Sequence, residues 1–502
     1  MNAFDPTNHA DETIRAAYQR ASAWLANGSK TLFIDGKWVP ALSGKDSQTI
    51  DPATENTLAS VAEADASDVD LAVAAARKAF EYGTWRGLSP HQRSRLLLKI
   101  ADLIEEYGDE LAVLETLDVG APLAFAQRHV AHSAETFRYY AGWSSKIYGT
   151  TNPTSDDRFI YMLREPMGVC ALINAWNVPL VMAATKIAPA LACGNTVVLK
   201  PAEQTPLSTL RLAELIEMAG IPTGVLNVVT GLGATVGAAL SAHPDIDKIA
   251  FTGSTAVGRH ILQSSAGNMK KVTLELGGKS PNIIFPDADV QRAIETAVLA
   301  FCRNSGQICS SGTRLFVHES LYDEVSEKVA GIAATYKVGS PFDPETKLGP
   351  LISATQMARV LSYVDKGKAE GAGLKQGGKR VGETGFFVEP TVFEHVNNEM
   401  TIAREEIFGP VLSVIPFRDE DDAVFKGNDT IYGLAAAVWT RDASRAHRVA
   451  RALKAGRIWI NTYAEGDQVM SMGGYKQSGY GREMGAESID AYTQTKSVFM
   501  KL

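Results

Sequence analysis

The spacing of hydrophobic positions predicts that the first third of the chain is largely helical. Residues 12–26 place apolar side chains at helical intervals behind Asp11, a residue type that often caps helix N-termini. From residue 67 to about residue 143 the pattern is again helical and includes the run LLLKIADLIEEYGDELAVLETLDVG, in which leucines recur at helical intervals. Amphipathic helices of this kind pack on a core, so we interpret them as scaffold.

Further along the chain, short apolar runs alternate with helical segments. Residues 166–277 contain the runs VCALINAW, TVVLK, LNVVTG, KIAFTG and KVTLELGG, and residues 281–460 contain NIIF, TRLFVH, VLSVIPF and RIWIN. The helical segments between them fall near residues 181–192, 207–219, 234–242, 288–303, 320–335, 354–371 and 441–454. This alternation is typical of parallel βαβ units, so we predict an α/β fold with two parallel-sheet domains.

Two other segments have the pattern of exposed strands. RFIYMLREP and the last residues, TKSVFMKL, alternate between apolar and polar side chains. Because an exposed strand edge can pair with another chain, we predict that these segments contact another subunit.

Length, charge and cysteine content narrow the class of protein. At 502 residues and 53.9 kDa, the chain exceeds the ~250–300 residues at which one core stops growing, so two or more domains are expected. The net charge of -8, with lysine and arginine scattered along the chain, predicts no nucleic-acid partner. The four cysteines form neither a disulfide framework nor a zinc motif, which favours a reducing, cytoplasmic setting. We also expect no metal, no signal peptide and no membrane span.

Cys309, in GQICSSGTR, is the strongest candidate for a reactive group. It lies between a helical run and the strand TRLFVH, and such junctions often carry reactive groups in α/β proteins. A thiol needs a base or a positive environment to act as a nucleophile. Glu275, in LELGGK, is the candidate base, because partial desolvation at the end of an apolar run raises a carboxyl pKa. The alternatives are a buried structural cysteine and a surface glutamate on an edge strand.

Asn177, in INAWNVPL, carries an amide that can join a backbone N–H in stabilising a negatively charged oxygen. One such donor contributes roughly 3–4 kcal/mol in a dry site. An asparagine after tryptophan is also common in turns, and that alternative stays open.

Three segments have features of a dinucleotide site. In FTGSTAVG, Gly253 and Ser254 lie between a strand and a helix, where free N–H groups and a hydroxyl can meet a pyrophosphate. TGLGATVG contains Gly233 in glycine spacing one residue off the usual dinucleotide fingerprint. In VVLKPAEQTP, Lys200 and Glu203 place a cation and an anion at the carboxyl edge of a sheet. Plain strand-to-helix turns and a surface ion pair are the alternatives.

Taken together, these segments resemble the aldehyde dehydrogenase superfamily. The resemblance extends from about residue 31 to the C-terminus, and it rests on motifs that follow one another in the family's order. They are INAWNVPL, VVLKPAEQTP, FTGSTAVG, LELGGKSPNIIF, GQICSSGTR, EEIFGPVL and GGYKQSGYGRE.

The resemblance implies a role for each catalytic candidate. Cys309 resembles the family's nucleophile, Glu275 its general base, and Asn177 with the Cys309 N–H its oxyanion site. Lys186 and Glu483 resemble a proton-relay pair behind the base. The implied reaction oxidises an aldehyde to a carboxylic acid, through a thiohemiacetal and then a thioester on Cys309.

The implied cofactor is NAD. Lys200 and Glu203 resemble the contacts to the adenosine ribose, and a carboxylate accepts hydrogen bonds from a ribose 2′-hydroxyl but repels a 2′-phosphate, so we predict NAD over NADP. The complete implied set of cofactor-binding residues is Ile173, Trp176, Lys200, Glu203, Gly233, Gly253, Ser254, Leu276, Glu406 and Phe408.

The resemblance also divides the chain into two Rossmann-like domains and a small β element. Residues 1–150 and 167–277 would form the NAD-binding domain, residues 278–478 the catalytic domain, and residues 151–166 and 479–502 an oligomerisation element. A homodimer or homotetramer is implied.

Departures from the family's common pattern bear on the substrate. Side chains near the expected substrate channel are small, at Ala175, Val178, Thr185, Ala464 and Gly466. A wide channel follows, and we expect a bulky, mostly apolar aldehyde that is aromatic, polycyclic or branched. No arginine stands out as an anchor for a substrate carboxylate, which disfavours semialdehydes.

Three competing functions remain at this point. A coenzyme A-acylating relative would pass the thioester to a thiol and would need no water-activating base, so Glu275 argues against it. A non-catalytic scaffold protein could lose Cys309 or Glu275, and this chain has both. A cysteine hydrolase would act without a cofactor, and reduction of NAD distinguishes it.

Overall fold

The chain folds around two large β-sheets with two small sheets beside them, and the structure, a computed structural model, describes residues 6–502 apart from the side chain of Asn8. Its strands, in chain order, are β1 (Leu32–Ile34), β2 (Lys37–Val39), β3 (Asp46–Ile50), β4 (Thr57–Ala62), β5 (Thr150–Thr151), β6 (Arg158–Pro166), β7 (Val169–Ile173), β8 (Thr196–Lys200), β9 (Leu226–Val228), β10 (Lys248–Thr252), β11 (Lys271–Glu275), β12 (Pro281–Ile284), β13 (Arg314–His318), β14 (Gly373–Gln376), β15 (Thr391–Glu394), β16 (Val411–Phe417), β17 (Ala435–Trp439), β18 (Arg457–Ile460), β19 (Gly479–Tyr480) and β20 (Thr493–Lys501).

Helices cover both large sheets. In chain order they are α1 (Glu12–Ala26), α2 (Ala66–Tyr82), α3 (Thr84–Gly87), α4 (Pro90–Glu106), α5 (Gly108–Val119), α6 (Leu123–Trp143), α7 (Pro179–Ala192), α8 (Leu207–Met218), α9 (Ala238–Ala242), α10 (Thr255–Ser265), α11 (Val290–Cys302), α12 (Tyr322–Ala334), α13 (Ala354–Ala369), α14 (Thr401–Arg404), α15 (Glu420–Asn428), α16 (Ala443–Ala452) and α17 (Glu487–Ala491). The predicted N-terminal helix is confirmed, and the Asp11 carboxylate caps it by accepting the Thr13 N–H at 2.8 Å. Within residues 6–502, no helix is both long enough and apolar enough to cross a membrane.

The first large sheet has the strand order β19-β11-β10-β7-β8-β9-β1-β2. Strands β7 to β11 are parallel, which confirms the βαβ pattern predicted for residues 166–277. Alternate residues of β7 enter different cores: Cys170 and Leu172 pack with α4 to α8, whereas Val169 and Ala171 pack with α2, α9 and α10. The sheet is therefore buried on both faces, and only its strand ends are available to a ligand.

The second large sheet has the order β14-β15-β16-β13-β12-β17-β18 and is parallel except for β14. It contains the four strands predicted for residues 281–460. It also contains β14, β15 and β17, which the hydrophobic pattern did not predict. Strand β17 is fully buried between β12 and β18, so the prediction missed an interior strand.

The two predicted exposed strands, β6 and β20, pair with each other. They form an antiparallel ladder from Thr493 opposite Pro166 to Lys501 opposite Arg158, and β5 adds a third strand. Strand β20 is left as an edge of this small sheet. Large apolar side chains on the sheet stay exposed, namely Phe159, Leu163, Phe499 and Met500.

Asn195, between α7 and β8, connects four segments that are distant in the sequence. Its side-chain oxygen accepts the Gly168 N–H at 2.9 Å, and its Nδ2 donates to the carbonyls of Ala190 at 3.1 Å and Tyr492 at 2.9 Å. Its own carbonyl accepts the indole N–H of Trp85 at 3.0 Å. Asn195 is fully buried, so water cannot replace these partners.

We predict that Asn195→Ala destabilises the fold, because it leaves a buried N–H and two carbonyls with fewer partners. The free energy of unfolding should fall by about 2–4 kcal/mol, measured by urea unfolding followed by tryptophan fluorescence. Asn56→Ala is the matched control, since Asn56 is exposed. Equal stability of the two variants would contradict this account of Asn195.

Candidate active site

The carboxyl ends of the parallel strands bring several candidate residues to one side of the first sheet. In the strand register, Ile173 lies opposite both Lys200 and Phe251, and Thr252 lies opposite Glu275. Four of the predicted strands, those that end at Ile173, Lys200, Thr252 and Glu275, therefore end at about the same level of the sheet. This edge is where open α/β sheets bind ligands.

Cys309 lies in a loop with an unusual backbone. Directly after α11, Asn304, Ser305 and Gly306 adopt φ values of 50°, 56° and 74°. The left-handed region costs roughly 1–2 kcal/mol for a residue with a side chain. Gly306 must be glycine, because a Cβ there would lie 2.2 Å from the backbone of Gly409. The Cys309 loop therefore packs in close backbone contact with Gly409, which follows Phe408.

Asn177 is held by two hydrogen bonds to the Cys309 loop. Its Nδ2 donates to the Gln307 carbonyl at 2.8 Å, and the Asn304 Nδ2 donates to the Asn177 carbonyl at 2.9 Å. Asn177 is buried, and its Oδ1 has no partner among residues 6–502. The amide is therefore fixed two residues from Cys309, and no acceptor for its second N–H lies among the described residues.

Glu275 is buried at the end of β11 beside the same loop. Neither carboxylate oxygen has a hydrogen-bond partner within the described part of the chain. At Gly278 a Cβ would lie 2.5 Å from the Cys309 carbonyl, so only glycine permits this contact. The structure therefore brings Cys309, Asn177 and Glu275 close to one another.

Lys186 and Glu483 form a buried ion pair next to this centre. The Lys186 Nζ lies 2.8 Å from the Glu483 Oε1 and donates to the Thr252 hydroxyl at 2.6 Å. Glu483 is positioned by an antiparallel bridge to Met472. Because Thr252 is opposite Glu275 in the register, the ion pair lies behind the candidate base.

The charges of the site act on one another. Burial raises the pKa of the Cys309 thiol to about 12, and the negative charges of Glu406 and Glu275 act in the same direction. Burial, followed by the charge of Glu483, raises the pKa of Glu275 well above its usual range, while Lys186 opposes that shift. The protonated form of Glu275 is thus favoured, and it does not repel a thiolate.

Lys200 and Glu203 form an ion pair at the end of β8. The Lys200 Nζ donates to the Glu203 carboxylate at 3.1 Å and to the Pro201 carbonyl at 3.0 Å. Burial lowers the pKa of Lys200, and Glu203 opposes this effect. A Cβ on Gly237 would lie 4.0 Å from the Lys200 Cδ, so the glycine-rich segment TGLGATVG reaches the same edge.

Ser254 caps the N-terminus of α10 at this edge, and its Oγ accepts the Val257 N–H at 3.3 Å. The prediction that Gly253 presents a free N–H is wrong. That N–H donates to the Glu275 carbonyl at 3.0 Å, because it continues the ladder between β10 and β11. The free donors of the helix terminus are therefore those that follow Ser254.

Glu406, Phe408 and Trp176 also lie near the Cys309 loop. The Glu406 carboxylate accepts the Gly278 N–H at 3.0 Å, and burial raises its pKa to about 7. The rings of Trp176 and Phe408 meet edge to face with centroids 5.1 Å apart. Phe408 has φ of 58°, and Gln356 holds this backbone by donating to the Phe408 carbonyl at 2.8 Å.

The other predicted cofactor residues are less distinctive. Ile173 and Leu276 are buried, and the Leu276 N–H donates to the Ser478 carbonyl at 3.0 Å. Gly233 is exposed in a π-helical turn, Gly233–Gly237, and a Cβ there would meet no atom within 4 Å. None of these three residues therefore has a feature that identifies it as a cofactor contact.

The small residues of the expected substrate channel differ in burial and contacts. Val178 and Ala464 are half-buried, and Thr185 is buried in α7 with its hydroxyl bonded to the Val181 carbonyl at 2.6 Å. A Cβ on Gly466 would lie 3.7 Å from Arg457 Nη1. The segment 464–466 therefore lies against an arginine that the sequence analysis did not name.

Sequence reasoning missed four residues near the centre. Tyr463 donates its hydroxyl proton to the Ser310 carbonyl at 2.6 Å, and Asn174 is buried with no partner for its amide among the described residues. Arg303 and Arg457 are close enough to Cys309 for their charges to interact. Arg303 could have been found, because it lies only six positions before Cys309 in the same segment.

Comparison with known proteins agrees with this arrangement. Residues 38–498 match the model of the aldehyde dehydrogenase family. Aldehyde dehydrogenase 1 of Tanacetum cinerariifolium is 50% identical over 470 residues, which cover 93% of this chain and 94% of that protein. The NAD+ complex of an aldehyde dehydrogenase from Bacillus cereus superposes with a TM-score of 0.95 at 49% identity, covering 96% of this chain and 98% of that one. An indole-3-acetaldehyde dehydrogenase complexed with NAD+ superposes with a TM-score of 0.95 at 44% identity, covering 97% and 99%.

We predict that iodoacetamide labels Cys309 selectively in the folded protein, because the other three cysteines are buried. Since the thiol pKa is raised, the labelling rate should climb from neutral to strongly alkaline pH. Glu406→Gln removes a negative charge that raises this pKa, so labelling at one fixed pH should become about threefold to tenfold faster.

Labelling is measured by mass spectrometry of the intact protein and its peptides. Glu319→Gln is the control, because Glu319 is exposed at the far end of β13. A labelling rate that does not depend on pH, or one that Glu319→Gln changes as much as Glu406→Gln, would refute this electrostatic account.

Proposed function

The chain belongs to the aldehyde dehydrogenase family, and from that premise we propose that it oxidises aldehydes to carboxylic acids through a thioester on Cys309, with NAD as the electron acceptor. The observation that carries the proposal is the meeting of Cys309, the Asn177 amide and the unpartnered Glu275 carboxylate in one buried site. A nucleophile, an oxyanion donor and a base are the parts that acyl chemistry requires.

The first step is addition of the Cys309 thiolate to the aldehyde carbon. The new bond is between sulfur and carbon, and the carbonyl electron pair moves to the oxygen, which becomes an oxyanion. The free N–H of Asn177 and the Cys309 backbone N–H would stabilise it, and each such donor is worth about 10²–10³ in rate. Because Asn177 is already fixed by Gln307 and Asn304, little reorganisation is needed.

Oxidation follows on the same carbon. When bound, NAD supplies the hydride acceptor that turns the adduct into a thioester. Glu406, held by the Gly278 N–H, and the paired rings of Trp176 and Phe408 would form the wall beside Cys309 on which the nicotinamide end is held.

The last step is hydrolysis of the thioester. Glu275 removes a proton from water, the water oxygen bonds to the thioester carbon, and the bond to the Cys309 sulfur breaks. After acylation the sulfur carries no charge, so an ionised Glu275 is no longer repelled by it. Lys186 and Glu483 would then return the proton of Glu275 to solvent.

The residues at the sheet edge fit NAD. The buried Lys200 amine with its Glu203 partner, the nearby glycine-rich segment and the N-terminus of α10 offer donors and acceptors for a ribose and a pyrophosphate. The Glu203 carboxylate supports a preference for NAD, because it would repel the 2′-phosphate of NADP.

The substrate is proposed to be bulky. Support comes from the small side chains at Val178, Thr185, Ala464 and Gly466, which would leave room for a large substrate. The likeness to a structure named indole-3-acetaldehyde dehydrogenase, at 44% identity, agrees with an aromatic aldehyde.

Domain roles and assembly follow the same proposal. Residues 1–150 and 167–277 would bind NAD, residues 278–478 would carry Cys309, and residues 151–166 with 479–502 would join subunits into a dimer or tetramer. The open edge of β20 and the exposed apolar side chains on its sheet support the last assignment.

The direct test is absorbance of reduced nicotinamide with NAD or NADP and aldehydes from acetaldehyde to bulky aromatic ones. We expect reduction of NAD over NADP, faster rates with bulky aldehydes, and loss of the reaction in Cys309→Ala. Cys302→Ala is the matched control, because Cys302 is buried in the core of the second domain. No reduction with any aldehyde would favour a non-catalytic protein.

A second prediction separates the role of Glu275 from that of Cys309. In Glu275→Gln the thioester should still form, so one equivalent of reduced NAD per site appears in a burst, while steady turnover falls by about 10²–10⁴. Stopped-flow absorbance measures both phases. In the wild type, turnover should rise with pH as Glu275 ionises, from the raised pKa of its carboxyl group. Loss of the burst together with turnover would instead place Glu275 before hydride transfer.

A further inference from the structure

An arginine cluster lies beside Cys309 without a carboxylate partner. We use this name for Arg128, Arg303 and Arg457 together with His132. Within residues 6–502, none of the three guanidinium groups forms an ion pair. Their position and their unpaired charge are two separate observations, and both point to an anionic ligand.

Arg303, in the segment before Cys309, contacts both the loop at Ala464 and helix α6. Its Nη1 donates to the Ala464 carbonyl at 3.3 Å, and its guanidinium lies 5.3 Å from the ring centroid of Phe125 in α6. Burial lowers the pKa of Arg303, and the charge of Cys309 acts in the opposite direction. Arg303 is therefore a partly buried cation within electrostatic reach of the nucleophile.

Arg457 approaches from the other side. Its Nη2 donates to the carbonyls of Met470 at 2.6 Å and Ser471 at 3.0 Å, while Nη1 faces the space that the missing side chain of Gly466 leaves open. Arg457 is buried, and the charges of both Cys309 and Glu275 act on it. The backbone thus holds one end of the guanidinium, and Nη1 has no hydrogen-bond partner among residues 6–502.

Helix α6 completes the cluster. His132 is tied to the loop of Ala464 through Gln468, whose Nε2 lies 3.2 Å from His132 Nδ1. Burial and the charges of His129, Arg457 and Arg303 lower the pKa of His132, so its neutral form is favoured. Arg128 is more exposed and adds a third cation. Its positive charge lowers the pKa of Arg303.

Such a grouping is costly unless an anion joins it. Like charges repel, and a cation withdrawn from water without a partner is destabilising. Elsewhere in the described part of the chain, Arg211 is paired with Glu110 at 2.7 Å. The fully buried Arg314 has no carboxylate partner there, but it donates to three carbonyls and to the Asn398 side chain. The loop beside the cluster even carries two acids, Glu465 and Asp467, but both are exposed and, among the described residues, neither is ion-paired with it.

We propose that the arginine cluster binds a carboxylate at the far end of the aldehyde substrate, so that the substrate is a bulky aldehyde acid. The inference rests on the proposed function and narrows its substrate class. It replaces the expectation that no arginine anchors a substrate carboxylate. The expectation of a mostly apolar substrate then applies only to the part between the aldehyde and the acid.

The test compares pairs of aldehydes of similar shape in which one member carries a carboxylate and the other a methyl group in its place. The pairs are 4-carboxybenzaldehyde with 4-methylbenzaldehyde, and 6-oxohexanoate with heptanal, each assayed by NAD reduction. We expect the wild type to have the higher kcat/KM for the carboxylate of each pair and to lose this preference as salt is added. In Arg303→Met, kcat/KM for the carboxylates should fall by about tenfold to a hundredfold, with little change for the neutral aldehydes.

Control variants make the result specific. Arg303→Lys should restore part of the preference, and Arg451→Met, which removes an exposed arginine of α16, should leave it unchanged. Equal losses for charged and neutral aldehydes would overturn the proposal, because the arginine would then act on Cys309. Oxidation of both aldehydes of a pair with equal kcat/KM in the wild type would overturn it as well. Absence of NAD reduction with every aldehyde would instead refute the proposed function.

Discussion

A reciprocal pair of hydrogen bonds between Asn177 and the segment before Cys309 holds the two halves of the site together. Asn177 follows β7 of the first sheet, and Cys309 precedes β13 of the second, so neither sheet alone contains the centre. The bond from the Gly278 N–H to Glu406 joins the end of β11 to the loop of the second sheet in the same way. A small change in the angle between the two sheets would therefore move the nucleophile, the oxyanion donor and the base relative to one another.

Packing around the site offsets the unfavourable free energy of its strained backbone and unpartnered polar groups. The Cys309 loop has consecutive left-handed residues at Asn304 and Ser305, and the carboxylate of Glu275 has no hydrogen-bond partner within residues 6–502. Buried polar groups without partners usually have a functional explanation, because they cost about 1–3 kcal/mol each. Here the cores on both faces of the first sheet hold the strand ends rigidly enough to keep these groups in place.

Much of the fold could be predicted from hydrophobic spacing, because buried parallel strands are continuous apolar runs. Strand β17 was missed because its sequence, AAAVW, is rich in alanine, which is a helix former, and its strand character comes from the neighbours β12 and β18. The site residues were predicted from motifs that resemble those of the aldehyde dehydrogenase superfamily, and several of them, such as Lys200 and Glu275, lie at strand ends that share a register. Arg303 and Arg457 were not, since a lone arginine in a sequence does not reveal whether a carboxylate meets it. The bonded N–H of Gly253 was missed for a related reason: it depends on how far the β10–β11 ladder extends.

In the proposed cycle, the arginine cluster and Glu275 act on the product in opposite directions. The reaction turns a neutral aldehyde into a second carboxylate, and the cations of Arg303 and Arg457 would retain a doubly charged product. Glu275 leaves the hydrolysis step protonated, so at that moment it exerts no repulsion. Once Lys186 and Glu483 have carried its proton away, the ionised Glu275 faces the new carboxylate at short range and favours its departure. The ion pair behind the base would then serve product release as well as water activation, because both require Glu275 to lose its proton.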